Sequence, residues 1–140
     1  MKSYLISSTK KSSGKTIVAT GLCSVLSSID SLAVFKKGPD YIDPLWLSQA
    51  SKVKCYNLDF FTMTNSEIRK LYKSASHGKN ISIVEGNKGL FDGVSLNGID
   101  SNASLAHLLK LEVILVLDCS GTTRGIAPLL QGYKNFDSKI

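Results

Sequence analysis

Short apolar runs alternate with amphipathic stretches along the chain. Each run is continuously apolar, so each is expected to form a strand that is buried on both faces, as in a parallel sheet. The four predicted strands are "SYLIS" (3–7), "SLAVFK" (31–36), "NISIVEG" (80–86) and "EVILVLD" (112–118).

The stretches between these runs have helical periodicity. The first has apolar residues at i, i+4, i+7, i+8 and i+11, which gives one apolar face: Val18, Leu22, Val25, Leu26 and Ile29. Further helices are predicted over 44–51, 66–75 (capped by Thr64 or Asn65), 102–110 and 125–133. Strands separated by helices need crossover connections, so the pattern predicts an α/β layered fold with a largely parallel sheet.

Composition indicates one globular domain. The 140 residues are 43% hydrophobic and 20% charged. The longest strongly apolar stretch, 113–117, is too short to span a membrane, and residues 1–11 have no secretory-signal pattern, so we expect a cytoplasmic protein without membrane contact. The cysteines are odd in number and widely spaced, which favours core thiols over disulfides or zinc ligands: Cys23, Cys55 (placed in a loop) and Cys119.

The net charge of +6 suits an anionic partner. The lysines are scattered, and no basic stripe interleaved with aromatic residues is present. This pattern argues against nucleic-acid binding.

The segment "STKKSSGKT" (8–16) joins the first strand to the first helix. Gly14, Lys15 and Thr16 match the end of a Walker A loop, in which backbone N–H groups cradle phosphates. In such a loop Lys15 would reach the β and γ oxygens of ATP and the Thr16 hydroxyl would bind Mg²⁺. The alternative is a basic, solvated turn that caps a helix.

The rest of this loop departs from the Walker pattern. Thr9 replaces the usual first glycine, and Ser12 and Ser13 occupy positions where small residues are common. Lys10 lies where deviant Walker A loops have a second phosphate-binding lysine, although a solvated lysine would look the same. We include all four residues in the expected nucleotide site.

The segment "VEGNKGLFDG" (84–93) follows the third predicted strand. Ligand sites in open α/β sheets lie at such strand ends, so Glu85 is placed to meet Mg²⁺ and Asp92 to lie nearby. The alternative is a tight glycine turn with capping carboxylates.

The segment "FKKGPDYIDP" (35–44) follows the second predicted strand. Asp40 and Asp43 should therefore lie at the same edge of the sheet as Glu85, with Lys36 and Lys37 beside them. Carboxylates for Mg²⁺ and lysines for anions are what phosphoryl transfer requires. Asp43 is also predicted to cap a helix that begins at Pro44.

Taken in order, "SSGKT", "FKKGPDYIDP", "NLDFFTM", "VEGNKGLFDG" and "LVLDCSGTTRGIAPLLQGYKNFD" resemble the N-terminal ATP-binding domain of cobyrinate a,c-diamide synthases. The resemblance covers residues 5–137. It implies a three-layer P-loop fold similar to dethiobiotin synthetase, incomplete at the C-terminus. It also implies an amidoligase that phosphorylates the a- and c-side-chain carboxylates of a corrinoid with Mg-ATP and then amidates them with ammonia.

The resemblance assigns roles to particular residues. Lys15 would hold phosphates, and the metal site would comprise Thr16, Asp40 and Glu85. Asp43 and Asp92 would orient substrate and intermediate. The expected catalytic residues are therefore Lys15, Asp40, Asp43, Glu85 and Asp92. Lys37 and Tyr41, together with Asp43, would contact the tetrapyrrole or its carboxylates.

The resemblance also implies partners, while Lys10 and the serine-rich loop keep rival functions open. The family has a C-terminal glutaminase domain that these 140 residues do not include, and a homodimer is a further expected state. Cobyrinate, hydrogenobyrinate and nickel sirohydrochlorin fit the motifs equally well. The rival hypotheses are a partitioning-type ATPase switch with a deviant Walker A loop and a degenerate, inactive fragment.

Overall fold

A single five-stranded sheet forms the centre of the molecule. The computed structural model describes all 140 residues, and every pair of neighbouring strands is parallel. The spatial order is β3-β2-β4-β1-β5. The strands are β1 (Lys2–Ser8), β2 (Leu32–Lys37), β3 (Cys55–Leu58), β4 (Ile81–Glu85) and β5 (Glu112–Val116). The predicted α/β class and parallel sheet are confirmed.

Helices cover both faces of the sheet. They are α1 (Lys15–Ser27), α2 (Asp43–Ser51), α3 (Asn65–Ala75), α4 (Asn102–Leu109) and α5 (Ile126–Phe136). Successive residues of a strand point to opposite faces. On β2, Val34 therefore packs in the cluster with α1 and α2, whereas Phe35 packs in the cluster with α3 and α4. The result is the three-layer architecture that the sequence predicted.

The buried face of α1 differs from the prediction. Val25 and Ile29 are 63% and 72% exposed, whereas Ala19 and Cys23 are fully buried at i and i+4. Small side chains let the helix approach the sheet closely, although they contribute little to a periodicity built on large apolar residues. The predicted apolar face is therefore wrong in part.

The edge strands also depart from the prediction. Cys55 was placed in a loop but begins β3, which pairs with the outer side of β2. At the other edge β5 is only partly buried, with Ile114 37% exposed. Cys119 is exposed and is not a core thiol, whereas Cys23 is buried as expected.

The expected start of α3 is confirmed. Thr64 is its N-cap and accepts a hydrogen bond from the Glu67 N–H, while the Glu67 carboxylate accepts from the Thr64 N–H. This reciprocal capping box satisfies two amides that would otherwise lack partners.

Two neighbouring strands send their following helices to opposite faces. After β1 the chain enters α1, which packs on one face, and after β4 it leads to α4, which packs on the other. Ligands of open α/β sheets bind at such a switch point, outside the carboxyl ends of the strands. No helix has both the length and the apolar character needed to cross a membrane.

Candidate active site at the carboxyl edge of the sheet

The loop between β1 and α1 has the backbone shape of an anion cradle. Ser12 and Gly14 both have left-handed backbone angles, with φ of 58° and 84°. Gly14 is the N-cap of α1, and no side chain caps the first amides of that helix. The N–H groups of its first turn are therefore available to an anion, and the helix dipole favours negative charge there.

Lys15 is folded back onto this loop and is 8% exposed. Its Nζ donates to Ser8 Oγ at 3.0 Å and to the Lys10 carbonyl at 3.4 Å. Burial lowers the pKa of Lys15, and Lys36 lowers it further, while Glu85 acts in the opposite direction. A buried ammonium held mainly by neutral oxygens is well suited to receive phosphate oxygens.

Glu85 ends β4 and is fully buried. Thr16 Oγ1 donates to Glu85 Oε1 at 2.6 Å, so the loop and the strand end are directly linked. Glu85 Oε2 is buried without a hydrogen-bond partner. Burial raises the pKa of Glu85, and Lys36 and the Thr16 hydroxyl oppose that rise.

Lys36 lies at the centre of the acidic cluster. Its Nζ is 2.6 Å from Asp43 Oδ2, 3.4 Å from Glu85 Oε1 and 4.0 Å from Asp40 Oδ2, and it donates to the Gly86 carbonyl at 3.3 Å. The register explains this position, since Lys36 on β2 is the partner of Glu85 on the neighbouring parallel strand. The sequence predicts Lys36 beside the acids as a lysine for anions, and in the structure the anions that it contacts are these carboxylates.

The side chain that bonds to the first amides of α2 belongs to Asp40 rather than to Asp43. The N-cap of α2 is Ile42, and Asp43 is the first helical residue, so the predicted cap at Asp43 is wrong. Asp40 takes over this function, since its Oδ1 accepts from the N–H groups of Ile42 and Asp43 at 2.9 and 3.2 Å. Burial opposes ionisation of Asp40, but these two bonds and Lys36 outweigh it and lower its pKa. Asp43 Oδ2 instead lies 3.5 Å from Thr16 Oγ1.

Other members of the expected nucleotide site make contacts within the protein. Lys10 Nζ is 3.3 Å from Asp118 Oδ2, an acid just after β5 that sequence analysis did not assign. Hydrogen bonds from Ser120 and the nearby Lys10 lower the pKa of Asp118 to about 2. Ser13 Oγ donates to the Lys10 carbonyl, and the Thr9 carbonyl accepts from Tyr133 Oη. The loop is thereby tied to the segments after β5.

Three expected site residues lie outside this cluster. Asp92 accepts a hydrogen bond from the Gly89 N–H and lines a second cavity, but it is close enough to Lys15 for its charge to oppose the lowering of the Lys15 pKa. Lys37 lines the same cavity, because it follows Lys36 on β2 and so points to the other face of the sheet. Tyr41 is 77% exposed, beside the start of α2.

The acids of the cluster could hold a metal ion only with other ligands. No group of three or more His, Cys, Asp or Glu side chains converges closely enough to bind one. Mg²⁺ commonly binds through one or two carboxylates together with substrate phosphates. The Thr16 hydroxyl, the unpartnered Glu85 Oε2 and the nearby Asp43 fit such a mixed set.

Curated proteins are similar to nearly the whole chain. The cobyrinate a,c-diamide synthase of Magnetococcus marinus is 47% identical over 132 residues, which is 94% of this chain and 28% of the relative. The chain is a homologue of the cobyrinate a,c-diamide synthases. The synthase of Methanococcus maripaludis is 41% identical over 141 residues, 100% of this chain and 32% of that protein. The resemblance inferred from the motifs is thus confirmed.

The match to these synthases lies in their N-terminal portion, and the chain spans about a third of their length. Hydrogenobyrinate a,c-diamide synthase of Brucella anthropi is also 41% identical, over 142 residues that cover 100% of this chain and 32% of the relative. Both names therefore occur among the relatives. No protein-family model matches the chain.

Proposed function

We propose that the chain is the Mg-ATP-dependent, carboxylate-activating part of a cobyrinate a,c-diamide synthase. One observation carries the proposal. This chain is a homologue of these synthases, and in it Lys15, Thr16 and Glu85 lie close together at the uncapped N-terminus of α1. The substrate would be a corrinoid with a- and c-side-chain carboxylates, and the pathway would be cobalamin biosynthesis.

Each side chain of the cluster has a task in this proposal. Lys15 and the first amides of α1 bind the β and γ phosphates, because they combine a buried positive charge with available N–H donors. Thr16 and Glu85 would hold Mg²⁺ together with phosphate oxygens, and bound Mg²⁺ would offset the negative charge of those oxygens. Asp40 belongs to the expected metal set but also fixes α2, whereas Asp43 lies nearer to Thr16.

The chemistry has two steps. A carboxylate oxygen of the substrate bonds to the γ phosphorus of ATP, the bond from that phosphorus to the bridging oxygen breaks, and ADP leaves. The nitrogen of ammonia then bonds to the acyl carbon, the carbon–oxygen bond to phosphate breaks, and a proton is released as the amide forms. Lys15 and Lys36 contribute by neutralising and positioning charge, since phosphoryl transfer depends chiefly on those two effects.

Nucleotide binding is the first test. Titration calorimetry of the 140-residue chain with Mg-ATP should show binding, and Lys15→Ala should weaken it at least about tenfold, the loss expected for one charge-assisted contact. Lys70→Met is the matched control, because Lys70 is exposed and makes no ion pair. Binding by Lys15→Ala equal to that of the wild type would refute the proposed role of the loop.

Turnover is the second test. The relatives are about three times longer than this chain. Ammonium chloride is therefore supplied directly, so that the assay does not depend on a glutaminase domain. Sustained ADP release should require Mg-ATP, ammonia and a corrinoid polycarboxylic acid together, whereas without ammonia ADP should stop at about one equivalent per chain, because the acyl phosphate is not consumed. ADP release that is independent of the corrinoid would instead indicate an ATPase switch.

A further inference from the structure

A second cavity opens at the carboxyl edge of the sheet, on the face of β2 opposite Lys36. Its volume is about 140 Å³, enough for a carboxylate and a short alkyl chain but too small for a macrocycle. Gly38, Pro39, Phe60 and Phe61 are among the residues that line it. The polar side chains that line it are Lys37, Asp59, Asn87, Lys88, Asp92 and Asp100.

Lys37 is the residue in this cavity that most clearly lacks a partner. It is 9% exposed, and its ammonium has no hydrogen bond and no carboxylate within 4.0 Å. Its Nζ lies 5.9 Å from the centre of the Phe60 ring. Burial lowers the pKa of Lys37, and the more distant Asp100 and Asp59 offset only part of that shift. A mostly buried ammonium with no acceptor from the protein can form charge-assisted hydrogen bonds with an anionic ligand.

Asp59 and Asp100 do not supply an acceptor, since no carboxylate oxygen lies within 4.0 Å of the ammonium and both acids accept hydrogen bonds within their own loops. Asp59 accepts from the Phe61 N–H at 3.1 Å and from the Thr62 hydroxyl at 3.1 Å. Asp100 accepts from two further N–H groups of its own loop, at 2.8 and 3.1 Å. These acids shape the loops around the cavity, and none of their oxygens contacts the Lys37 ammonium.

Lys88 brings a second positive charge to the cavity. It adopts a left-handed backbone with φ of 57°, which is uncommon for a lysine. The buried Asn102 holds the segment on both sides, since its amide donates to the carbonyls of Asn87 at 2.7 Å and Gly89 at 2.8 Å. Lys88 also lowers the pKa of Lys37, as expected of a like charge held nearby. Both lysines line the cavity, so an anion bound there would meet two positive charges as well as the lining carboxylates.

We propose that Lys37 and Lys88 bind a carboxylate of the organic substrate in this cavity, one that is not being phosphorylated at the time. The identity of that substrate rests on the proposed function. Lys36 and Lys37 are consecutive on β2, so one substrate at this edge can place one carboxylate near the Lys15 cluster and another in the cavity. An enzyme that forms two amides on one molecule needs such a second anchor to fix which carboxylate reacts.

A small tricarboxylate tests the site without the macrocycle. Propane-1,2,3-tricarboxylate should bind to the 140-residue chain in titration calorimetry. Lys37→Met should weaken binding at least about tenfold, and Lys88→Met about threefold or more, because the charge-assisted contacts are lost. Lys37→Arg keeps the charge and should recover most of the affinity, while Lys70→Met should bind like the wild type. Circular dichroism of each variant establishes that it is folded.

The outcomes separate this inference from the proposed function. Unchanged tricarboxylate binding by both methionine variants would overturn the inference, as would undetectable binding by the wild type. Inorganic phosphate that binds through Lys37 while the tricarboxylate does not would also overturn it, since the cavity would then be a phosphate site. If Mg-ATP does not bind but binding of the tricarboxylate still depends on Lys37, the carboxylate site is supported and the proposed function is refuted.

Discussion

Replacing Lys36 tests the electrostatic account of the active-site cluster. Lys36 is 2% exposed and is the cation nearest to both Glu85 and Asp43. Lys36→Met keeps the length of the side chain and removes the charge, which leaves Glu85 fully buried without its ion-pair partner. Removing one member of a buried ion pair costs about 3–5 kcal/mol. Because the Asp43 side chain is 22% exposed and can be hydrated, we expect the lower end, about 3 kcal/mol.

The loss should depend on pH in a defined direction. Burial already raises the pKa of Glu85 above 4.5 with Lys36 present. A raised carboxyl pKa means that the folded protein binds the proton more tightly than the unfolded chain, so stability falls as pH rises from the unfolded pKa through the folded pKa. Lys36 opposes the rise of the Glu85 pKa, so without it this pKa rises further and the pH range over which stability falls extends to higher pH. Lys36→Met should therefore be more destabilised at pH 8 than at pH 5.

Urea unfolding followed by circular dichroism measures this free energy. The double variant Lys36→Met/Glu85→Gln should regain much of the lost stability, because replacing both members of a buried pair is often nearly neutral. Lys70→Met, at an exposed position, should change stability by no more than about 0.5 kcal/mol. The reasoning is refuted if Lys36→Met is as stable as the wild type at pH 8, or if Glu85→Gln gives no recovery.

Two further predictions concern packing and thiol exposure. Gly89→Ala would place its Cβ 2.7 Å from a backbone oxygen of the phosphate loop, so it should lose about 1–3 kcal/mol in urea unfolding. Gly21→Ala, on the open surface of α1, should instead gain about 0.5–1 kcal/mol, and equal effects of the two changes would contradict this account. The native chain should react with one equivalent of Ellman's reagent at pH 8, at the exposed Cys119, whereas burial raises the pKa of Cys23 and Cys55 to about 12. Rapid labelling of Cys119→Ser would contradict that assignment.

Much of the candidate site could be predicted from the rule that ligands bind at the carboxyl ends of parallel strands. Lys15 and Glu85 follow or end strands whose carboxyl ends share one edge of a parallel sheet, so their proximity follows from topology alone. The sequence rules are weaker for Asp40 and Asp43, because either aspartate could bond to the first amides of α2. The structure settles that choice in favour of Asp40.

Features that depend on strand pairing are harder to predict. The strand β3 has only four residues and is stabilised by its pairing with β2, so a local pattern does not reveal it. The partnership of Lys36 with Glu85 depends in the same way on which strand lies beside β2, a non-local fact. The opposite directions of Lys36 and Lys37, in contrast, follow from the alternation of any strand and could have been deduced from "FKKG".

The position of Lys36 has a consequence for the repulsion between the neighbouring acids. A covalently tethered ammonium is present among these carboxylates at an effective concentration that free counter-ions do not reach. Lys36 therefore relieves part of the repulsion between the acids in the folded protein without an external cation. Ligands that approach this edge of the sheet therefore meet three carboxylates whose negative charge Lys36 already offsets in part.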